Sequence, residues 1–269
     1  MLWALRSDSA GSSAITSITI WLATAAVLWL AGAFAEGNIR LALWASALAI
    51  EFVAPSLGFW VPGLDRSTSA DWDVDGNHLA ERCSLFIIIV LGESLLVTGA
   101  TFAEAAWTPA TAAAFAVAFV SSVAMWWIYF DTGAERGSQR IASSSNPGRL
   151  GRLAYTYLHI PIVAGIIVAA VADELVLAHP TGQTELKTAI VVIGGPGLFL
   201  VGNLLFKATI AKGLPLSHLV GLGLLPLVAL ATTLLPPLSH LAAVTGVLVI
   251  VAVWETLSLR RPRPATVES

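Results

Sequence analysis

The stretch "NHLAERCSLFIIIVLGES", residues 77–94, decides the fold. Its apolar run has the character of a membrane-spanning helix, yet it carries His78, Glu81, Arg82 and Glu93. On a helix turning about 100° per residue, Arg82 and Glu93 lie about 20° apart, and His78 lies about 40° from Arg82. These three therefore share one stripe, with Glu81 about 100° away from it. At a rise of about 1.5 Å per residue, Glu93 falls within about 5 Å of the midpoint of a span over 79–101.

The rest of the chain agrees with a membrane reading. Of 269 residues, 57% are hydrophobic and 12% charged, and the mean hydropathy is +0.81. Soluble domains carry about 25% charged residues, so the charge deficit points to a polytopic membrane protein. A net charge of -3 with no long basic stripe gives no expectation of a nucleic-acid partner. The single cysteine, Cys83, allows no disulfide framework within the chain. The opening "MLWALRSDSAGSS" does not read as a signal peptide, because Arg6 and Asp8 interrupt it. The first long apolar run is expected to remain as an anchor.

The expected fold class is all-α, a polytopic transmembrane helix bundle of about eight spans. These fall at 15–34, 39–60, 79–101, 110–130, 152–176, 187–206, 214–235 and 240–258. Residues 1–14 form an N-terminal segment, 15–259 a single transmembrane domain and 260–269 a cytoplasmic basic tail. Placing both termini in the cytoplasm puts all but three of the 14 Lys and Arg on the inner side. Arg40 and Lys187 lie outside and Arg82 lies within a span, a segregation that supports this orientation and the even count. "PLSHL" occurs at 215–219 and 237–241, with its serine expected to cap each of the last two helices.

Charge at the bilayer centre costs at least about 2.5 kcal/mol, so carboxylates kept within spans are candidates for function. Glu51, Glu81, Glu93 and Glu255 fall in the predicted spans. Glu93 is too deep to reach water by stretching its side chain, and Glu51 is near the middle of the second span. The candidate functional cluster is His78, Glu81, Arg82, Glu93, Asp131 and Glu51. Asp131 ends "MWWIYFD" at the expected inner surface. Helix-fixing pairs equally explain Arg82, Glu81 and Asp131. His159 and His218 read as satisfied structural histidines. Pro161 is expected to loosen the fifth span, and "GGPGLFLVGN" at 194–203 marks the most breakable helix.

Other motifs are incomplete. "DWDVDGNHLAER" at 71–82 has Asp71, Asp73, Asp75 and Gly76 of a calcium loop, but Arg82 stands where the bidentate glutamate belongs. His78 and Glu81 form H-x-x-E without a second histidine, so no metal site is expected. Cys83 has no aligned base, so no nucleophilic catalysis is indicated and the enzyme reading is disfavoured. No cofactor is expected.

"HLAERCSLFIIIVLGES" (78–94) resembles the signature of the bacterial low temperature requirement A family: H-x-x-E-R, an apolar run, then G-E. "LWASALAIEFVAPSLGFWVPG" (43–63), "WWIYFD" (126–131), "YTYLHIPIVAGI" (155–166) and "GGPGLFLVGNLLFK" (194–207) add to the resemblance over roughly residues 20–255. Family members begin with further spans, including an "LFFDLVF"-like segment. On this reading the chain corresponds to the C-terminal part of such a protein. The resemblance implies a bacterial inner-membrane protein, and the family's name reports a growth phenotype in the cold. The expected activity is transport of a small solute or ion, coupled to protons through Glu93. In that picture Glu51 assists, while His78, Glu81, Arg82 and Asp131 form an inner gate. The alternatives are a structural or sensory partner protein, or a factor acting on membrane lipid. The expected partners are the lipid bilayer and that solute or ion; the sequence sets no oligomeric state.

Overall fold

In the hydrocarbon core no water satisfies a free backbone N–H or C=O, so apolar runs of about 20 residues close their bonds internally as helices. The computed structural model describes residues 9–64, 76–131, 147–210, 213–232 and 234–260, and no strand occurs among them. The helices are α1 (Ser9–Phe34), α2 (Gly37–Val53), α3 (Gly76–Glu104), α4 (Pro109–Phe130) and the short α5 (Pro147–Gly151). A π-helical turn (Arg152–Tyr157) follows, then α6 (His159–Ala178), α7 (Leu186–Ile210), α8 (Leu216–Leu230) and α9 (Pro237–Arg260). Residues 71–75 of the calcium-loop-like stretch lie outside the described residues.

Six stretches are long and apolar enough to cross a membrane, by length and composition: Ser13–Phe34, Asn77–Glu104, Pro109–Phe130, Gly148–Ala178, Leu186–Ile210 and Pro237–Ser258. Each of the eight expected spans has a helix, but two are short. The span expected over 39–60 is the 17-residue α2. Its regular helix stops at Val53 because Pro55 has no N–H to donate, and the chain then turns through Gly58 and Phe59 at positive φ. The span expected over 214–235 is the 15-residue α8. That length covers about 22 Å of a hydrocarbon core about 30 Å thick.

The serine caps are corrected. Pro215 precedes α8 as its N-cap, and Ser217 sits inside the first turn with its hydroxyl on the neighbouring His218. Pro237 opens α9, which carries Ser239 into the helix. Proline's fixed φ suits a helix start, so it displaces the boundary ahead of the serine. The side-chain cap is made elsewhere: Thr108 and Thr111 exchange reciprocal bonds at the start of α4.

The chain falls into two compact units, Met1–Asp73 and Val74–Ser269. In the first, α1 and α2 pack through Trp29 and Trp44, whose rings lie 6.0 Å apart. Gly32 admits the Trp44 ring where any Cβ would overlap it.

The second unit is organised by close approach between α6 and α7. A Cβ at Gly165 would collide with the Phe199 backbone, and one at Gly195 would stand 2.6 Å from the Ala169 nitrogen. Small residues let membrane helices meet backbone to backbone, where packing replaces the missing hydrophobic drive. This explains why "GGPGLFLVGN" does not break: α7 runs through Pro196 as one helix, with Gly195 and Gly202 packed against α6. The irregularity lies instead ahead of Pro161. Proline cannot donate to the carbonyl four residues back, and the preceding turn widens to π geometry, with Leu158 N bonding Leu153 O at 3.1 Å.

Candidate functional site

Contacts at one end of the second unit join the starts of α3, α6 and α8 to the ends of α4, α7 and α9. It is the end that the sequence places in the cytoplasm. Lys207, near the end of α7, is 5% exposed, and its Nζ lies 2.7 Å from both carboxylate oxygens of Glu255 on α9. The same ammonium donates to the Ile128 carbonyl of α4 at 2.7 Å. Glu255 is 7% exposed, and its Oε2 stands 3.9 Å from Nδ1 of the fully buried His218 on α8. Ser217 Oγ lies 3.2 Å from that same nitrogen, while the other ring nitrogen, Nε2, has no hydrogen-bond partner among the described residues. Asn203, one turn before Lys207, gives its amide to the Phe199 carbonyl, and its buried Oδ1 has no partner among the described residues.

Beside this charged group lies an aromatic one. Tyr129 Oη and His159 Nε2 are 2.9 Å apart, and His159 Nδ1 lies 2.8 Å from the Ala154 carbonyl. Both ring nitrogens of His159 are thus occupied, as a structural histidine requires. His218 differs: its Nδ1 meets Ser217 and faces Glu255, while its buried Nε2 has no hydrogen-bond partner among the described residues. Phe206 packs edge-on against His159 at 4.9 Å, next in sequence to Lys207. Cys83 Sγ lies 3.4 Å from the carbonyl of Tyr155, which ties α3 to the π turn.

The sequence-predicted residues are distributed differently. His78, Glu81, Arg82 and Glu93 are all exposed on α3, whose buried face carries Ala80, Ile87, Leu91, Ser94 and Thr98. The stripe thus points outward, and no ion pair joins Arg82 to Glu81 or Asp131 among the described residues. Asp131 instead accepts from Thr256 Oγ1 at 2.6 Å, beside a bond from Trp127 Nε1 to the same hydroxyl at 3.1 Å. Glu51 belongs to the first unit, half-buried, with Trp29 Nε1 donating to its Oε1 at 3.0 Å.

Glu93 and Ser94 on α3 and Glu174 on α6 line an open groove of about 380 Å³. The other walls are Ile89, Val90, Val97, Ile167, Ala170 and Val171. The neighbouring Asp173 turns the other way and is 2% exposed. Asp173 and Glu174 fall inside the expected span over 152–176, so their position alone could have flagged them. Among the described residues no group of three or more His, Cys, Asp or Glu could hold a metal ion.

A profile described as "Bacterial low temperature requirement A protein (LtrA)" matches residues 1–253. The chain belongs to the LtrA family. An uncharacterized protein of Rhizobium meliloti (strain 1021) is 38% identical over 261 residues, which is 96% of this chain and 63% of that protein. The chain thus spans somewhat less than two thirds of that relative's length. No solved structure gives a significant match. Family membership and the apolar helices together establish a multi-pass membrane protein.

Proposed function

We propose that this LtrA-family chain resides in the bacterial cytoplasmic membrane and moves a small solute or ion, with proton coupling carried by its buried charged network. The supporting observation is the Lys207–Glu255 pair, enclosed by four helices and facing His218. Removing two charges from water costs several kcal/mol per ion, and apolar residues of similar volume fill such positions as well or better. An ion pair held inside a membrane bundle is therefore best explained by what it does. Lys207, Glu255, His218 and Ser217 place exchangeable protons side by side on three helices, with the unpartnered His218 Nε2 free to take another contact.

Glu93 retains a part in this reading as the outward-facing carboxylate that meets the solute. The inner gate of His78, Glu81, Arg82 and Asp131 stands as the companion proposal, with Glu51 assisting.

The test uses the purified chain in vesicles loaded with a pH-sensitive dye. An imposed proton gradient is challenged with a panel of small cations, anions and neutral solutes. A solute that dissipates the gradient only in the presence of protein, and not with Glu255→Gln or Glu93→Gln, supports the proposal. Dissipation equal to protein-free vesicles for every solute contradicts it. A structural or sensory partner would show no flux, and these variants would alter assembly alone.

A further inference from the structure

We infer that the groove between α3 and α6 is a binding site for a lipophilic organic cation entering from the plane of the membrane. The inference rests on the transport reading and names its substrate class. Three observations converge on it.

The first is charge. Glu93 stands on the α3 wall and Glu174 on the α6 wall, both exposed, with no ion pair or hydrogen bond among the described residues. Carboxylates at membrane depth are costly unless a cation or a donor meets them.

The second is Ser94. It lines the same groove, is 4% exposed, and its Oγ finds no hydrogen-bond partner among the described residues. Hydroxyls in helices usually return their proton to a carbonyl one turn back, as Thr98 does to Ser94 itself at 2.8 Å. A buried hydroxyl left open beside two carboxylates offers a polar contact to something bound there.

The third is the lining. Ile89 and Ile167 are 64% and 54% exposed, so the groove opens on an apolar face of the kind that suits lipid. Sites for small molecules occupy roughly 300–1,000 Å³ and set a few polar groups in an apolar wall. This groove has that composition, and its polar groups are acidic. A hydrated inorganic ion would gain nothing from the apolar walls. An organic cation with an apolar body uses both features.

The test is equilibrium binding of tetraphenylphosphonium to the full chain in lipid nanodiscs, with triphenylphosphine oxide as the uncharged comparator. Saturable binding of the cation alone is expected. Glu93→Gln and Glu174→Gln should each weaken it about tenfold, the scale expected for loss of one charge contact at a desolvated site. Ser94→Ala should weaken it severalfold, Glu93→Asp and Glu174→Asp should retain most of it, and Lys187→Ala should leave it unchanged. Retention by the Asp variants also shows that the losses are not misfolding.

Equal binding of the uncharged comparator would overturn the inference and mark a face covered by lipid. Binding unaffected by both Gln variants would overturn it as well. A change in oligomeric mass on these substitutions, without cation binding, would assign the groove to a second protein chain. Absent binding with solute flux intact removes the site and leaves the transport proposal standing. Carboxylate-dependent binding without any flux removes the transport proposal alone.

Discussion

Glu255 and Glu93 are the same residue type on membrane-spanning helices of one unit, and the fold treats them in opposite ways. Glu255 is buried and met on both oxygens by Lys207. Glu93 is exposed beside Glu174 with apolar neighbours around it. The first carboxylate is satisfied from within by residues distant in the chain, 48 positions away for Lys207. The second is left for whatever lies outside the bundle. Depth along a helix therefore does not determine how a charge is accommodated; the direction it faces does.

The two carboxylates should differ most at the buried pair. Lys207→Met or Glu255→Gln alone should cost about 3–5 kcal/mol, because each removes the charge that the other buried group meets at 2.7 Å. Denaturant unfolding in detergent reads this directly, and a loss below about 1 kcal/mol would mean that water reaches the pair. A smaller effect is expected at its edge. Thr256→Val removes the hydroxyl that joins Trp127 to Asp131 and should cost about 1 kcal/mol.

The groove should be nearly silent in stability. Glu93→Gln is expected to change unfolding by less than about 0.5 kcal/mol, as exposed substitutions do, while altering cation binding. A loss as large as that of Glu255→Gln would show that Glu93 is structurally buried in the assembled protein. The smallest effect belongs to Lys187→Ala. Lys187 in the first turn of α7 bonds the exposed Glu185 at 2.9 Å, and this contact lowers the Glu185 carboxyl from its usual value. A depressed folded-state pKa contributes stability above the unfolded value, and that contribution fades as pH falls through the folded value. Exposed pairs contribute little, so the variant should unfold as the parent does at neutral pH.

The helices were legible in the sequence because hydropathy over about 20 residues is a length measurement against the bilayer. Their ends were not always so. Pro55 cuts α2 short and prolines displace the starts of α8 and α9, effects of single backbone donors that a window average cannot register. Helical arithmetic puts His78, Arg82 and Glu93 on one stripe of α3, and all three are exposed, as is Glu81. It could not say which way that side faces, since a helix with apolar surroundings inside and out lacks the contrast that orients an amphipathic helix in water. The Lys207–Glu255–His218 network was invisible for another reason. It is assembled by contacts between α4, α7, α8 and α9, and the close α6–α7 packing that supports it depends on Gly165 and Gly195 meeting across helices. Local periodicity carries no information on such pairings.

The most direct test of the central claim is flux through vesicles carrying the double variant Lys207→Met/Glu255→Met. Replacing both members of a buried pair by apolar side chains commonly restores the stability lost by replacing one. The account predicts a folded protein, comparable to the parent in unfolding, with solute-dependent dissipation of the proton gradient abolished. Flux at the parent rate in that folded double variant would contradict it.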